Sequence, residues 1–161
     1  MSGAHDKRHA ARIGAVQALY QMELTGGDAE TVNLEFVEHR LGHEPELGAG
    51  EADEEFFGAI LRGVPQHQVE IDSSIAKVLA ADWRLERVDS ILRAILRAGA
   101  FELIGRKDVP ARAVIDEYVE IANAFFVGDE PSFVNAALDK LAHRKRAAEF
   151  GEAPPDDELQ F

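Results

Sequence analysis

Three cationic side chains near the N-terminus, Lys7, Arg8 and Arg12, have the type and spacing of a phosphate-binding group. Arg8 and Arg12 are four residues apart, so on a helix they project from one face. The backbone N–H groups of a helix N-terminus would add to the attraction for an anion. The same residues also suit an ordinary solvated helix start, with Asp6 neutralising part of the charge, and composition alone favours this simpler interpretation.

A second cationic group lies in residues 84–107, where six Lys and Arg against three acids leave a net charge of +3. Within it, Arg97 interrupts an otherwise apolar helical pattern, and an arginine there is costly unless its head reaches water or a partner. Two interpretations stay open for Arg97. It lies on a nucleic-acid-binding face, or it forms a structural ion pair with Glu102 or with a residue of a neighbouring helix.

The net charge of −13 does not exclude binding to phosphate, because the acids are concentrated in two segments. Residues 23–58 contain 11 acids and one arginine, and residues 147–161 contain five acids and no base, so the rest of the chain has a net charge of +2. Screening limits the reach of a charge to roughly 8 Å at physiological salt. A local basic face can therefore bind an anion on an acidic protein.

Enzyme chemistry has little support in this sequence. The 161 residues include no cysteine, and the six histidines show no zinc-ligand spacing. A phosphate-binding loop would follow a strand, and none is predicted, so we expect no cofactor, no metal and no catalysis. No apolar run reaches the ~18 residues that span a bilayer, and the first residues lack a signal peptide's apolar core. We expect a soluble, cytoplasmic protein.

Helical periodicity dominates the chain and predicts an all-α fold. Apolar residues from Ile13 to Leu24 form one stripe that ends at Gly26-Gly27, Asp89 is a plausible N-cap for a buried central helix, and Pro65 should break or kink its helix. We expect about seven helices in two small packed bundles within one domain, residues 1–147. The subdomains would span about 6–81 and 82–147, with a mobile loop at 42–53 and a disordered acidic tail at 148–161.

Five segments, in this order, resemble the NusB family of transcription antitermination factors. They cover most of residues 8–142, and the ordered set is more specific than any fragment alone. The segments are RIGAVQALY at 12–20, WRLERV at 83–88, ILRAGAFEL at 95–103, DVPARAVIDE at 108–117 and FVNAALDK at 133–140.

The resemblance implies a fold of two small helical bundles and a non-enzymatic function. Family members bind boxA-type single-stranded RNA together with NusE, a small-subunit ribosomal protein. The complex joins the transcription elongation complex and promotes read-through in ribosomal RNA operons. Such proteins occur as monomers and as homodimers. An alternative is a protein–protein scaffold, or an accessory module for an RNA-modifying enzyme, with weak or no RNA binding of its own.

The resemblance also implies site residues, and the chain departs from the family pattern near some of them. His9 and Ala10 stand where arginines are common, Ala136 replaces a usual glycine, and Leu92 replaces an acidic partner contact found in some relatives. Without the resemblance, Tyr20 and Phe133 would be predicted as core residues. Trp83, the only tryptophan, is predicted to be a structural plug in a turn between helices. The implied RNA-binding residues are Lys7, Arg8, Arg12, Tyr20, Arg97 and Phe133, and the implied partner-binding residues are Tyr20, Asp129 and Phe133.

Overall fold

The structure, a computed structural model, describes residues 4–41, 52–81 and 83–155, and these ranges contain seven α-helices and no strand. The all-α prediction is confirmed. None of these helices combines the length and apolarity that crossing a membrane requires. The helices are α1 Ala4–Thr25, α2 Ala29–Glu35, α3 Glu54–Gln66, α4 Gln68–Val78, α5 Ser90–Gly105, α6 Ala111–Phe125 and α7 Glu130–Lys145, with a π-helical turn at Phe36–Arg40 and 3₁₀ turns at Leu85–Arg87 and Ala147–Phe150.

The chain divides into two compact units, Met1–Gln66 and His67–Phe161. The sequence placed the division near residue 82, one helix further along. The difference concerns α4, which contacts α5 and α7 and so belongs to the second unit. The apolar stripe of α4, formed by Ile71, Ile75 and Val78, is buried. Periodicity shows that this stripe must be covered, but it does not show which helices cover it.

Residues with special backbone or capping chemistry set the helix ends. After α1, Gly26 has φ of +72°, a conformation that glycine adopts without steric cost. Asp28 caps α2 by accepting a hydrogen bond from the Thr31 N–H at 2.9 Å, and this bond lowers the pKa of the carboxyl group below its ordinary value. Asp89 accepts from the N–H groups of Ile91 and Leu92, so the predicted N-cap of α5 is confirmed.

In the first unit, α1 packs on α3, and the core between them is aliphatic and aromatic. The Phe36 and Phe57 rings meet edge to face, with their centroids 5.7 Å apart. Pro65 lies in the last turn of α3, which ends one residue later at Gln66. The predicted break therefore occurs just after Pro65, where α4 begins at Gln68.

In the second unit, α5 is the central helix that the sequence predicts, because it contacts α4, α6 and α7 and is buried along most of its length. A Cβ atom on Gly99 would lie 2.8 Å from Leu138, so glycine permits a close approach to α7. The buried Tyr118 hydroxyl donates to the Glu102 carboxylate at 2.5 Å. These contacts tie the three longest helices of the unit together.

The C-terminal end of α5 is held by a buried arginine. The Arg146 guanidinium donates to the carbonyl oxygens of Glu102, Leu103, Arg106 and Val109 at 2.6–3.1 Å. Carbonyl groups at a helix C-terminus lack intrahelical partners and attract a cation. Arg146 therefore has a structural role.

Residues 148–152, which the sequence assigned to a disordered tail, are attached to α6 and α7. Glu149 accepts from the Ala111 N–H at 2.9 Å, at the start of α6, and from Arg146. The ring of Phe150 stacks on His143, and Glu152 lies 2.7 Å from Nδ1 of that histidine. Residues 156–161 of the predicted tail and residues 42–51 of the predicted loop lie outside the described residues.

Candidate nucleic-acid interface

The first two turns of α1 present two partly exposed cations, Lys7 and Arg8. The Asp53 N–H donates to the Lys7 carbonyl oxygen at 3.0 Å, which places the Asp53 carboxylate beside α1. Arg8 Nε lies 3.9 Å from Asp53 Oδ2, and the two side chains are 34% and 33% exposed. Arg8 thus has a carboxylate neighbour but keeps contact with solvent.

Asp53 also caps the N-terminus of α3, because its Oδ1 accepts a hydrogen bond from the Phe56 N–H at 2.9 Å. This N-cap fixes Phe56, whose ring lies under two arginines. The guanidinium carbons of Arg8 and Arg12 are 4.6 and 4.8 Å from the ring centroid, within cation–π distance. The prediction that Arg8 and Arg12 share one face is consistent with this geometry.

Arg12 differs from Arg8 in its exposure, since only 3% of its surface reaches solvent. The same role is predicted for both arginines from the sequence, but their burial differs. A phosphate reaching Arg12 would have to displace groups that now cover it. Contact between Arg12 and RNA stays a prediction, while Lys7 and Arg8 are the accessible cations of the set.

Tyr20 lies on α1 and is half-buried. This burial is compatible both with packing in the core and with an aromatic contact at the surface. One residue along, Gln21 accepts a hydrogen bond from Arg40 at 3.0 Å. Arg40 in turn lies 4.3 Å from the centroid of the Phe36 ring. Arg40 is not among the predicted site residues, because it lies within the acidic segment 23–58.

In the second unit, the arginines of α5 are engaged by protein groups. Arg97 donates through Nε and Nη2 to both carboxylate oxygens of Asp72 on α4, each at 2.9 Å, and its side chain is 16% exposed. Arg93 is buried and donates to the carbonyl oxygens of Leu85 and Val88. The ion-pair interpretation of Arg97 is therefore realised, with Asp72 rather than Glu102. RNA contact by Arg97 stays a prediction.

Two aromatic rings of the same unit, Trp83 before α5 and Phe133 in the first turn of α7, contact each other at the surface. Trp83 and Phe133 have ring centroids 5.1 Å apart at a tilt of 56°. Trp83 is 51% exposed, so its prediction as a structural plug is wrong. Phe133 is half-buried, and its N–H donates to the carbonyl oxygen of the exposed Asp129.

Trp83 is the residue that sequence reasoning missed. It stands in a short segment between α4 and α5, where a lone tryptophan is usually read as filling a gap. The available signal was its neighbour Arg84, because a charged residue in an interhelical segment indicates a solvated surface. Arg84 and Arg87 are both exposed.

The NusB family model matches residues 9–143 of this chain. The chain belongs to the NusB family. This NusB-family chain is 56% identical over 146 residues to the transcription antitermination protein NusB of Maricaulis maris, covering 89% of this chain and 90% of the relative. It is 54% identical over 142 residues to the protein of the same name from Caulobacter vibrioides, covering 86% and 94%. It is thus a transcription antitermination protein and not an enzyme.

Solved structures show the same NusB fold. T. maritima NusB superimposes with a TM-score of 0.73 at 26% identity, covering 94% of this chain and 99% of that chain. A crystal structure of antitermination factors NusB and NusE in complex with dsRNA contains a chain with a TM-score of 0.68 at 24% identity, covering 83% and 94%. The predicted NusB-like fold is confirmed.

Proposed function

We propose that this NusB-family chain binds boxA-type single-stranded RNA together with NusE, within the transcription elongation complex in the cytoplasm, and promotes read-through in ribosomal RNA operons. The observation that carries the proposal is the 56% identity, over most of both chains, to a transcription antitermination protein. The solved complex of a more distant family member with NusE and RNA supports the two partners.

In the first unit, RNA phosphates would bind Lys7 and Arg8. Both are partly exposed and lie in the first two turns of α1, where the helix dipole adds to the attraction for anions. Arg12, stacked on the same Phe56 ring, would add to the local potential. Tyr20 would contact a base or the protein partner, since single-stranded bases stack on aromatic side chains.

In the second unit, Phe133 and Asp129 would form the centre of the surface that contacts the protein partner or the RNA. Asp129 offers an exposed carboxylate to the protein partner, and Phe133 an aromatic face to the partner or a base. Trp83 enlarges this aromatic surface, because its ring lies 5.1 Å from that of Phe133 and is half exposed. Arg97 would contribute to RNA binding only if an RNA phosphate replaced Asp72 as its ion-pair partner.

A second candidate function is a protein–protein scaffold with weak or no RNA binding of its own, or an accessory module for an RNA-modifying enzyme. The burial of Arg12 and the pairing of Arg97 with Asp72 favour it, because both reduce the cationic charge open to phosphate. The first function predicts RNA binding that depends on salt and on RNA sequence, and the second predicts RNA binding that is weak or absent.

Fluorescence anisotropy with labelled boxA-type RNA, with and without NusE, separates these functions. The proposal predicts tighter binding to the pair and a steep loss of affinity with salt, about 0.7 in log–log slope for each phosphate neutralised on a single strand. Lys7→Ala with Arg8→Ala should lower that slope by up to about 1.4. Arg62→Gln, which removes an exposed cation of the same unit that pairs with Glu30, is the matched control and should change it little.

The results that would refute the RNA-binding proposal are equally specific. An RNA affinity that is the same for unrelated RNA sequences, and the same with and without NusE, would refute the proposal. NusE binding without any RNA contribution would establish the scaffold. Size-exclusion chromatography with light scattering, with and without RNA, reports whether the free chain is a monomer or a homodimer and whether RNA splits a dimer.

A further inference from the structure

Two arginines of α1, Arg8 and Arg12, contact one aromatic ring of α3. Their guanidinium carbons lie 4.6 and 4.8 Å from the centroid of the Phe56 ring, within the range of a cation–π interaction. Burial at this position requires only an apolar side chain, and an aliphatic one would exclude water from it equally well. The contacts with two cations, by contrast, depend on the aromatic face of the ring. This difference points to a role for Phe56 beyond packing.

Hydrogen bonds hold the Phe56 ring in a fixed position beside α1. Phe56 is 2% exposed, and its N–H donates to Asp53 Oδ1 at 2.9 Å. The Asp53 N–H donates in turn to the carbonyl oxygen of Lys7 at 3.0 Å, next to Arg8 in the chain. The first turn of α3 is therefore connected to the part of α1 that carries the accessible cations. The ring is a rigid support for a side chain that lies over it.

The ring supports Arg8 without neutralising it. A phenyl ring has no net charge, so Arg8 keeps its full positive charge when it lies over Phe56. A carboxylate neighbour such as Asp53 instead offsets that charge and competes with an incoming phosphate. The Arg8 side chain is 34% exposed, so a phosphate can reach it while the ring contact is kept. The contact with Phe56 is thus compatible with bound RNA.

We propose that Phe56 is a positioning residue for RNA binding, because its ring holds the Arg8 guanidinium where an RNA phosphate meets it. This inference rests on the proposed function, in which Arg8 binds phosphate. Without the ring, Arg8 would sample more rotamers in the free protein and lose more conformational freedom on binding. Arg8 and Arg12 also repel each other, since like charges four residues apart destabilise a helix, and the negative face of the ring offsets part of this repulsion.

A double-mutant cycle on RNA affinity tests the proposal. Phe56→Leu keeps an apolar side chain and removes the ring, and Arg8→Gln removes the cation that the ring supports. Measured by fluorescence anisotropy with boxA-type RNA and NusE at fixed salt, Phe56→Leu should weaken binding about three- to tenfold. In the Arg8→Gln background, the loss should be smaller by more than about twofold, a difference larger than independent sites show. Equal losses in both backgrounds would show that Phe56 does not act through Arg8 and would overturn the proposal.

Phe57→Leu is the matched control, because it removes the same ring from the next position of α3. Phe57 is also fully buried, and its ring meets the Phe36 ring edge to face. The control should change RNA affinity by less than about twofold in either background. A loss as large as that caused by Phe56→Leu would show that the packing of the core, rather than the contact with Arg8, sets the RNA affinity.

Two further variants of Phe56 extend the test. Phe56→Tyr retains an aromatic ring, so its RNA affinity should stay within about twofold of that of the unmodified chain. A loss equal to that of Phe56→Leu, with the fold intact, would contradict the proposal. Urea unfolding shows whether each variant is folded. If Phe56→Leu is not, Phe56→Met takes its place in the cycle, since a methionine side chain fills the space of the ring without its aromatic face.

NMR of the free protein measures the ring contact without RNA. The Arg8 Nε–H group adjoins a guanidinium carbon 4.6 Å from the ring centroid, so the ring current shifts its proton signal. Phe56→Leu should move this signal toward that of an arginine in an unfolded peptide, and Phe57→Leu should not. An Arg8 signal that Phe56→Leu leaves in place would overturn the proposal. A ring-current shift without any RNA binding would refute the proposed function, and with it the RNA-binding role of Phe56, but not the ring contact. RNA binding with equal losses in the cycle would refute this inference alone.

Discussion

Asp53→Asn is the change that tests the RNA-binding role of α1 most sharply. Asp53 places one carboxylate oxygen 3.9 Å from Arg8 Nε and uses the other to cap α3 through the Phe56 N–H at 2.9 Å. Asparagine caps helices about as well as aspartate, so the cap survives while the negative charge is removed. The substitution therefore removes the carboxylate that competes with an RNA phosphate for Arg8.

The expected gain in affinity follows from the strength of this ion pair. Both side chains are about one-third exposed, so the pair is worth about 0.2–1 kcal/mol, as measured for pairs of this kind. If RNA binding must break the pair, its removal raises affinity by a factor of about 1.4 to 5. Because the cap remains, the free energy of unfolding should change by less than about 0.5 kcal/mol.

The assay is fluorescence anisotropy with boxA-type RNA at fixed salt, accompanied by urea unfolding. Glu54→Gln is the control, since it removes an exposed carboxylate next in the chain and reports the general effect of one less negative charge. The Asp53 variant should gain more affinity than this control. Equal gains, or a loss of affinity with the fold intact, would show that Arg8 does not bind phosphate.

Three further predictions concern the second unit. Arg97→Gln should lower the free energy of unfolding by about 1–2 kcal/mol in a urea titration, because it breaks the two-bond pair with Asp72. Its RNA salt slope should change little, and a fall of about 0.7 would show that Arg97 leaves Asp72 for a phosphate. Tyr118→Phe should cost about 1–3 kcal/mol in the same assay, since it removes a hydrogen bond to the fully buried Glu102, and an unchanged midpoint would contradict this. Because the pKa of Glu149 is lowered in the folded state, its carboxylate stabilises the fold fully above pH 4.5, the ordinary value. This stabilisation is lost as the pH falls through the lower folded-state pKa. The melting temperature of Glu149→Gln should therefore fall less with acid than that of the unmodified chain.

The helices and their ends could be predicted from local sequence because their causes are local. Gly26 ends α1, Asp89 begins α5, and the 3.6-residue repeat identifies α5 as the most buried helix. Each of these features depends on backbone sterics, on a hydrogen bond within three residues, or on the balance of apolar residues around one helix. The family resemblance depended on the same kind of ordered, local pattern.

The candidate site depended on tertiary contacts that no spacing shows. The pattern correctly put Arg8 and Arg12 on one face, but the Phe56 ring and the neighbouring groups leave Arg8 partly exposed and Arg12 buried. The ring contact of Trp83 is with Phe133, which is 50 residues further along the chain, so local spacing could not show it.

The sequence by itself determined that this chain is helical, where its helices begin and end, and which side chains share a face. Only the tertiary structure decided which cations remain open to phosphate. Arg97 illustrates the difference, since its position on an apolar helix required a partner, and the partner, Asp72, is 25 residues away on α4. Burial and ion pairing are set by whichever helix packs opposite, and helical periodicity contains no information about that helix.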